Sequence, residues 1–338
     1  MRGARVIGQK HLRLALPWLP DAVSALPSDG VSVRLPAAEW LVARGERQPL
    51  PVPSWRQWLL TGAGVDSDVI QRMPPGPSVY AARNGVTPRG TWACARPVHL
   101  LTALDHLQLS RETLFLDPDE TAALAADLNR HLEGTGFRLH ATGPGEWLLE
   151  CADPIDCTTI EPAQAAGRNL RDLMPAGPDG GRVRSLMNEL QMLLHEHPVN
   201  ERRAARGARV VNSLWLWGFG VAAEPARMAL PSLFTDDPWL AGLWRAHGVK
   251  PRELAEFGAP PGENAVLTLL GWSSPPAADA AECLAAAEAN CFALARAALA
   301  AGRADHVEML LGERAVATRR NARLFVWRRE RALAEVLA

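Results

Sequence analysis

The sequence predicts an α/β or α+β protein, a mixed β-sheet body with flanking helices and possibly two subdomains. Three observations carry that prediction. Leu124, Leu128 and Leu132 form an inward stripe at helical spacing. Ala265 to Gly271 (AVLTLLG) has the length and apolar character of a buried strand. Between Leu114 and Cys151 the pattern reads as a β-α-β-β unit. At 338 residues, with 48% hydrophobic and 22% charged, the chain is long enough for two domains with a real core.

In chain order, Val6 to Leu16 reads as a first strand, Asp29-Gly30 as a turn and Ala37 to Arg44 as a short helix. Pro49, Pro51 and Pro53 make an extended connector, after which Ser54 caps a helix carrying Trp55, Trp58 and Leu59. Met73 to Pro77 reads as a breaker, and Tyr80 to Pro88 shows no clear period. Thr91 to Leu101 is extended and includes His99, a lone histidine near Pro97 for which a structural role is expected. Leu114 to Leu116 reads as a strand, with Asp117 or Asp119 capping the helix that follows. Phe137 to His140 and Glu146 to Cys151 are then strands joined by a Gly143-Pro144-Gly145 turn. Asp153 to Gly167 reads as a linker, which divides the chain into an N-terminal α+β region, 1–165, and a C-terminal α/β region, 166–338. The alternative is one mixed sheet shared by the β-α-β-β unit and the central strand described next.

Asn188 to Gly220 holds the densest set of unusual residues. Leu186, Leu190, Leu193 and Leu194 predict a helix from Arg184 to His197, closed by Pro198. Asn200 is the expected cap of a second helix, Glu201 to Arg206, that stops at Gly207. Val210 to Trp217 alternates as a strand, and Gly218 and Gly220 allow a sharp turn after it. Polar groups sit among these apolar ones. Buried amides need partners, since an unpaired one costs roughly 1 to 3 kcal/mol. Asn188, Gln191, His195, His197, Asn200, Arg203, Asn212, Trp215 and Trp217 are therefore the candidate ligand-binding residues. One reading lets them line a polar cleft for an anion, with Arg203 forking onto carboxylate or phosphate. The other lets the amides pair with backbone and pin helix, turn and strand together.

Beyond Gly220, a strand is expected at Ala229 to Phe234 and a helix opened by Asp236 or Asp237, with Leu240, Leu243 and Trp244 facing in. Ala277 to Ala301 is a long alanine-rich helix stopped by Gly302. His306 to Leu311 and Leu324 to Trp327 read as strands near the sheet edge. Arg319, Arg320, Arg323, Arg328 and Arg329 surround the last of these, as a solvated edge or as a docking strip for an acidic partner.

With 36 Lys and Arg against 37 Asp and Glu, the net charge of −1 offers no global field toward nucleic acid or membrane. Five cysteines without a C-x-x-C exclude a disulfide framework or zinc ribbon. The amino terminus is interrupted by His11, Arg13 and Pro17, and no stretch offers the roughly 18 consecutive apolar residues of a membrane span, so a cytoplasmic protein is expected. The count of 12 Trp against one Tyr is unusual, and such indoles serve as core fillers or as anchors for partners.

The HPVN stretch (His197 to Asn200), the following Arg and Gly, and the string from Asn212 to Gly220 resemble the H-P-x-N segment of archaeal-type cofactor-independent phosphoglycerate mutases. With NELQMLLH (Asn188 to His195) ahead of it, the string is similar to bacterial phosphoglycerate mutase-like proteins labelled RpfE-type regulatory proteins. That second resemblance takes in PVHLL (Pro97 to Leu101), Leu114 to Leu149 and FVWRR (Phe325 to Arg329). It implies a fold related to part of the alkaline-phosphatase-like mutases. Those enzymes hold two metal ions with an Asp-rich turn, a Ser or Thr nucleophile and late D-x-x-x-H clusters. Here Asp105-His106 and Asp305-His306 stand without companions at ligand spacing. The expectation is therefore no cofactor and no metal, in a non-catalytic or weakly catalytic regulatory protein. It would bind a small anionic metabolite, phosphorylated or carboxylate, or a protein partner. The alternative is a mutase-like phosphotransferase or phosphoesterase in which His195 or His197 is general acid or phosphate acceptor.

Overall fold

The computed structural model describes residues 10–26, 33–49, 52, 54–102, 106–111, 114–141, 145–222, 228–258, 267–273, 279–311, 314–325 and 327–337. Several expected features lie outside these residues: the Asp29-Gly30 turn, Pro51 and Pro53, Asp105, and most of the Gly143-Pro144-Gly145 turn. The strands are β1 (His11–Ala15), β2 (Glu46–Pro49), β3 (Thr91–Val98), β4 (Leu100–Thr102), β5 (Leu107–Leu109), β6 (Phe137–His140), β7 (Trp147–Cys151), β8 (Ser213–Val221), β9 (Ser232–Thr235), β10 (Leu267–Gly271), β11 (His306–Leu311) and β12 (Arg314–Arg319). The α-helices are α1 (Leu19–Ser24), α2 (Pro36–Arg44), α3 (Trp55–Ala63), α4 (Ser67–Arg72), α5 (Pro75–Asn84), α6 (Pro118–Leu132), α7 (Pro162–Ala165), α8 (Gly180–His195), α9 (Pro198–Ala205), α10 (Pro238–Ala246), α11 (Ala280–Ala287), α12 (Ala293–Ala300) and α13 (Leu333–Leu337). The mixed α/β class expected from the sequence is the one observed.

Packing divides the chain into two compact units, Met1–Asp66 with Ala226–Ala338, and Ser67–Pro225. This differs from the expected boundary at 165/166. The reason is a long-range pairing: β8 hydrogen-bonds antiparallel to β3, from Val98↔Ser213 to Thr91↔Val221, and so carries the central motif into the unit that holds the β6–β7 hairpin.

The first unit is built on a six-stranded sheet in the order β2-β12-β11-β1-β10-β9. Strands β11, β1, β10 and β9 run parallel, and β12 and β2 are antiparallel to their neighbours. On one face Leu12 and Leu14 of β1 and Leu16 just past it, spaced by two, pack with Leu41 of α2, Leu284 of α11, Phe292 between α11 and α12, and Leu299 of α12. The other face meets α3, where the Arg13 guanidinium lies 4.6 Å from the Trp58 ring centroid. Ala280–Ala300 is long and apolar enough to cross a membrane by length and composition, yet its Cys283, Leu284, Cys291, Phe292 and Leu299 are buried in this core. A π-helical turn, Glu288–Phe292, interrupts it. From that turn the Glu288 carboxylate accepts from the Ala37 and Ala38 N–H groups (2.6 and 3.2 Å), capping α2.

The second unit is a four-stranded antiparallel sheet, β6-β7-β3-β8, with β4 and β5 as a separate pair. Helix α5 occupies the stretch that reads as a breaker. Its prolines stand in the first turn, where no N–H is needed and φ is already helical. Gly218 and Gly220 correct another expectation. Strand β8 continues through both, and a Cβ on either would stand 2.6 Å or 2.4 Å from atoms of Pro75 and Pro74. Their role is close approach of α5, with Gly218 also at φ 67. Leu114 to Leu116 is irregular, with Leu114 and Leu116 buried, so β3 and not this segment precedes α6 in the sheet. Leu324 to Trp327 is likewise no strand. A 3-10 helix, Arg320–Leu324, leads into a turn there, in the first unit, whose six-stranded sheet has the exposed β2 as an edge strand.

Candidate functional site

At the proline bend, α8 ends at His195 and α9 begins at Pro198, so Pro198 opens a helix where closure of one was expected. His197, not Asn200, is the cap. Its Nδ1 accepts from the Val199 N–H (3.2 Å), which leaves the proton on Nε2 to be donated to Asp127 Oδ2 (3.1 Å). Arg130, hydrogen-bonded to Asp127, holds that carboxyl below its usual range, and His197 adds to the effect.

Asn200 is buried one turn into α9. Its Nδ2 donates to the Leu194 and Val211 carbonyls (2.7 and 2.6 Å), and its Oδ1 accepts from the Val211 N–H (2.8 Å). Arg203, also buried, donates to the Arg209 carbonyl (2.7 Å), the Phe115 carbonyl (3.1 Å) and Glu120 Oε2 (2.6 Å). Glu120 in turn completes a capping box with Asp117 at the start of α6 and accepts from Arg206. Asn212 exchanges two hydrogen bonds with Leu100 main chain (2.6 and 2.9 Å), and His99 Nδ1 donates to the Val210 carbonyl (2.9 Å). The Trp215 indole donates to the Ile160 carbonyl (2.8 Å), and that of Trp217 to Glu146 (3.0 Å), which also pairs with Arg96.

The structure thus brings His197, Asn200, Arg203 and Asn212 together as ties between chain segments. Asn188 and His195 stand exposed on α8, and Gln191 is half-buried. The expected open polar cleft is not what the bend forms: its buried donors and acceptors are engaged by main chain and by two carboxylates.

A second cluster, absent from the predicted set, lies in the first unit just beyond the carboxyl ends of its parallel strands. That is where open α/β sheets bind ligands. Trp272 follows β10 and donates its backbone N–H to the Ala15 carbonyl that ends β1 (3.0 Å). Its ring meets the buried Trp18 ring edge-on, with centroids 5.5 Å apart. The Trp18 Nε1–H has no acceptor among the described residues. Past β9, the Asp237 carboxylate accepts from Arg56 Nε and Nη2 (3.0 and 2.7 Å) and caps α10 at Leu240 N (2.9 Å). The Arg56 guanidinium lies against Trp55 (4.5 Å), with Trp239 farther off (5.8 Å). Thr235 Oγ1 donates to the Gly271 carbonyl (2.6 Å), and exposed Asp236 accepts from the Ser273 N–H (2.6 Å). The sequence signal for this site was Asp236-Asp237 directly after a strand, legible only as a helix cap.

Two divalent ions would need several free carboxylates and imidazoles here. Asp237 already holds a guanidinium and Asp236 a backbone N–H, and Trp18 and Trp272, which follow β1 and β10, belong to the apolar core. Among the described residues no three His, Cys, Asp or Glu are grouped to hold a metal ion. This donor set does not fit such a pair of ions.

No family model matches the chain. Its sequence is similar to 2,3-bisphosphoglycerate-independent phosphoglycerate mutases. That of Methanothrix thermoacetophila is 28% identical over 215 residues, 56% of this chain and 54% of that protein. That of Methanosarcina acetivorans is 36% identical over 95 residues, 28% of this chain and 20% of that one. A probable mutase of Geobacter sulfurreducens is 36% identical over 69 residues, 20% and 17% of the two chains. The chain therefore spans about half the length, or less, of the curated relatives it matches. Among solved structures, the cofactor-independent phosphoglycerate mutase of Thermoplasma acidophilum aligns over 91% of this chain and 89% of its own, with TM-score 0.36 and 15% identity. A Pyrococcus horikoshii protein aligns over 92% and 87%, with TM-score 0.44 and 12% identity. The likeness in sequence is thus to 2,3-bisphosphoglycerate-independent phosphoglycerate mutases, over part of the chain. None of these relatives carries the RpfE-type label.

Proposed function

We propose that this mutase-like chain is a non-catalytic or weakly catalytic cytoplasmic regulator, of the RpfE type, that acts by binding. The observation that carries the reading is the closed Arg56–Asp237 ion pair past β9, with the buried Trp18 and Trp272 rings meeting edge-on in the residues that follow β1 and β10. Phosphoryl transfer calls for a nucleophile and a net positive charge aimed at the developing oxyanions. At these strand ends the buried guanidinium of Arg56 is neutralised by the Asp237 carboxylate. Of the two kinds of ligand expected, a protein partner is favoured over a small anionic metabolite. Arg203, the cation expected to receive an anion, holds Glu120 instead.

The second reading, a mutase-like phosphotransferase, is favoured by the activity named for the relatives. The test is interconversion of phosphoglycerates by the purified chain, without metal and with added Mn²⁺ or Zn²⁺. No turnover above the protein-free blank is expected, and metal-dependent turnover would overturn the proposal.

A further inference from the structure

The segment after β12 holds two large apolar side chains out in solvent: Leu324 is 64% exposed and Trp327 70% exposed. The segment is tied at several points. Ala322 and Leu333 are buried on either side of the pair. Arg328 donates to the carbonyls of Arg44 and Gly45 (3.2 and 3.3 Å), and Glu330 pairs with Arg44 (2.7 Å). Phe325, with Arg328 over its ring (5.1 Å), meets the Trp327 ring edge-on at 5.4 Å. Trp327 is therefore presented outward from a fastened turn, which lowers the ordering cost of any contact it makes.

Positive charge is in excess around the pair. Arg319, Arg320, Arg329 and Arg331 are exposed on the segment, against Glu330, which pairs with Arg44, and exposed Glu335. An apolar centre of Trp and Leu within a rim of Arg is the anatomy of a protein interface, where Trp and Arg dominate the binding energy. A nucleic acid would instead need a continuous basic face, and the net charge of −1 gives no field to gather one.

Resting on the binding reading above, we infer that Leu324 and Trp327 with their arginine rim form the docking surface for an acidic segment of a partner protein that carries an apolar side chain. The apolar residue would pack on Trp327, and the acidic ones would answer Arg319, Arg320, Arg329 and Arg331.

The test uses the full chain and a fluorescein-labelled peptide of Glu and Asp around a central Leu-Phe pair, followed by anisotropy. Saturable binding that weakens with added salt is expected. Trp327→Ala and the double variant Arg319→Glu with Arg320→Glu should each weaken it by about tenfold or more. Leu324→Ser gives an independent reading should Trp327→Ala disturb Phe325. Absence of peptide binding by the wild type, binding indifferent to all these variants, or tighter binding of labelled oligo(dT) or phosphatidylserine vesicles at the same residues would overturn the inference. Phosphoglycerate interconversion is assayed on the same preparations. Turnover with peptide binding intact overturns only the non-catalytic reading. Lost peptide binding without turnover overturns only the docking surface.

Discussion

Each unit buries an arginine–carboxylate pair, Arg56–Asp237 in the first and Arg203–Glu120 in the second, and their surroundings differ. Arg203 also donates from Nε to the Arg209 carbonyl and from Nη1 to the Phe115 carbonyl, so the guanidinium ties α9 to the start of α6. Around Arg56 the neighbours are indoles, and Asp237 stands at the carboxyl edge of a parallel sheet. One pair is a fastener in a region whose residue types advertise a ligand site. The other occupies the place where such a sheet offers one. Residue type alone therefore did not tell a structural tie from a ligand site here.

The largest expected effects break these pairs. Asp237→Ala and Glu120→Ala each strand a buried guanidinium, and each should cost about 3–5 kcal/mol in urea denaturation of its unit. Equal and small losses would mean that neither pair is closed in solution. Next come the amides. Asn200→Ala removes the side-chain partner of both the Val211 N–H and the Val211 carbonyl, while the Leu194 carbonyl keeps the His197 N–H; it should cost about 2–3 kcal/mol, against about 1 kcal/mol for half-buried Asn212→Ala. A reversed order would restore a ligand-facing role to Asn200.

A pH effect belongs to the first unit. His11 and His306 pair in register on β1 and β11 and stack at 4.7 Å. Burial, then the neighbouring His11, pushes the His306 pKa below its usual value of about 6.5. The folded state thus disfavours the proton. Its stability is full above that value and falls as pH drops below it toward the depressed folded-state pKa. His306→Gln should flatten that decline in a series of melting curves, and an unchanged slope would contradict the assignment. Smallest of all, Asn188→Ala and His195→Ala, on the exposed face of α8, should change stability by no more than about 0.5 kcal/mol.

Much of the fold was legible because local rules governed it. Ser54, Asp117 and Asp237 each cap the helix that follows, as their residue types predict. The failures share a cause, which is tertiary context. Pro75 and Pro77 read as breakers, yet they open α5, and the glycines that signalled a turn after Trp217 make room for that helix. No periodicity tells that β8 returns to β3, so the unit boundary was missed. At the candidate site the sequence required partners for Asn200 and Asn212 and offered main-chain groups or a ligand, with nothing local to choose between them. Trp18, Trp272 and Arg56 are distant in sequence from Asp237 and carry no shared motif, so their convergence was invisible.

The most direct test of a closed strand-end crevice follows the indole Nε1–H resonances of Trp18 and Trp272, assigned through Trp18→Phe and Trp272→Phe, while phosphoglycerate and Mg²⁺ are added. Both cross-peaks should stay where they are across the titration. A saturable shift of either one would contradict a filled crevice and return the strand ends to substrate binding.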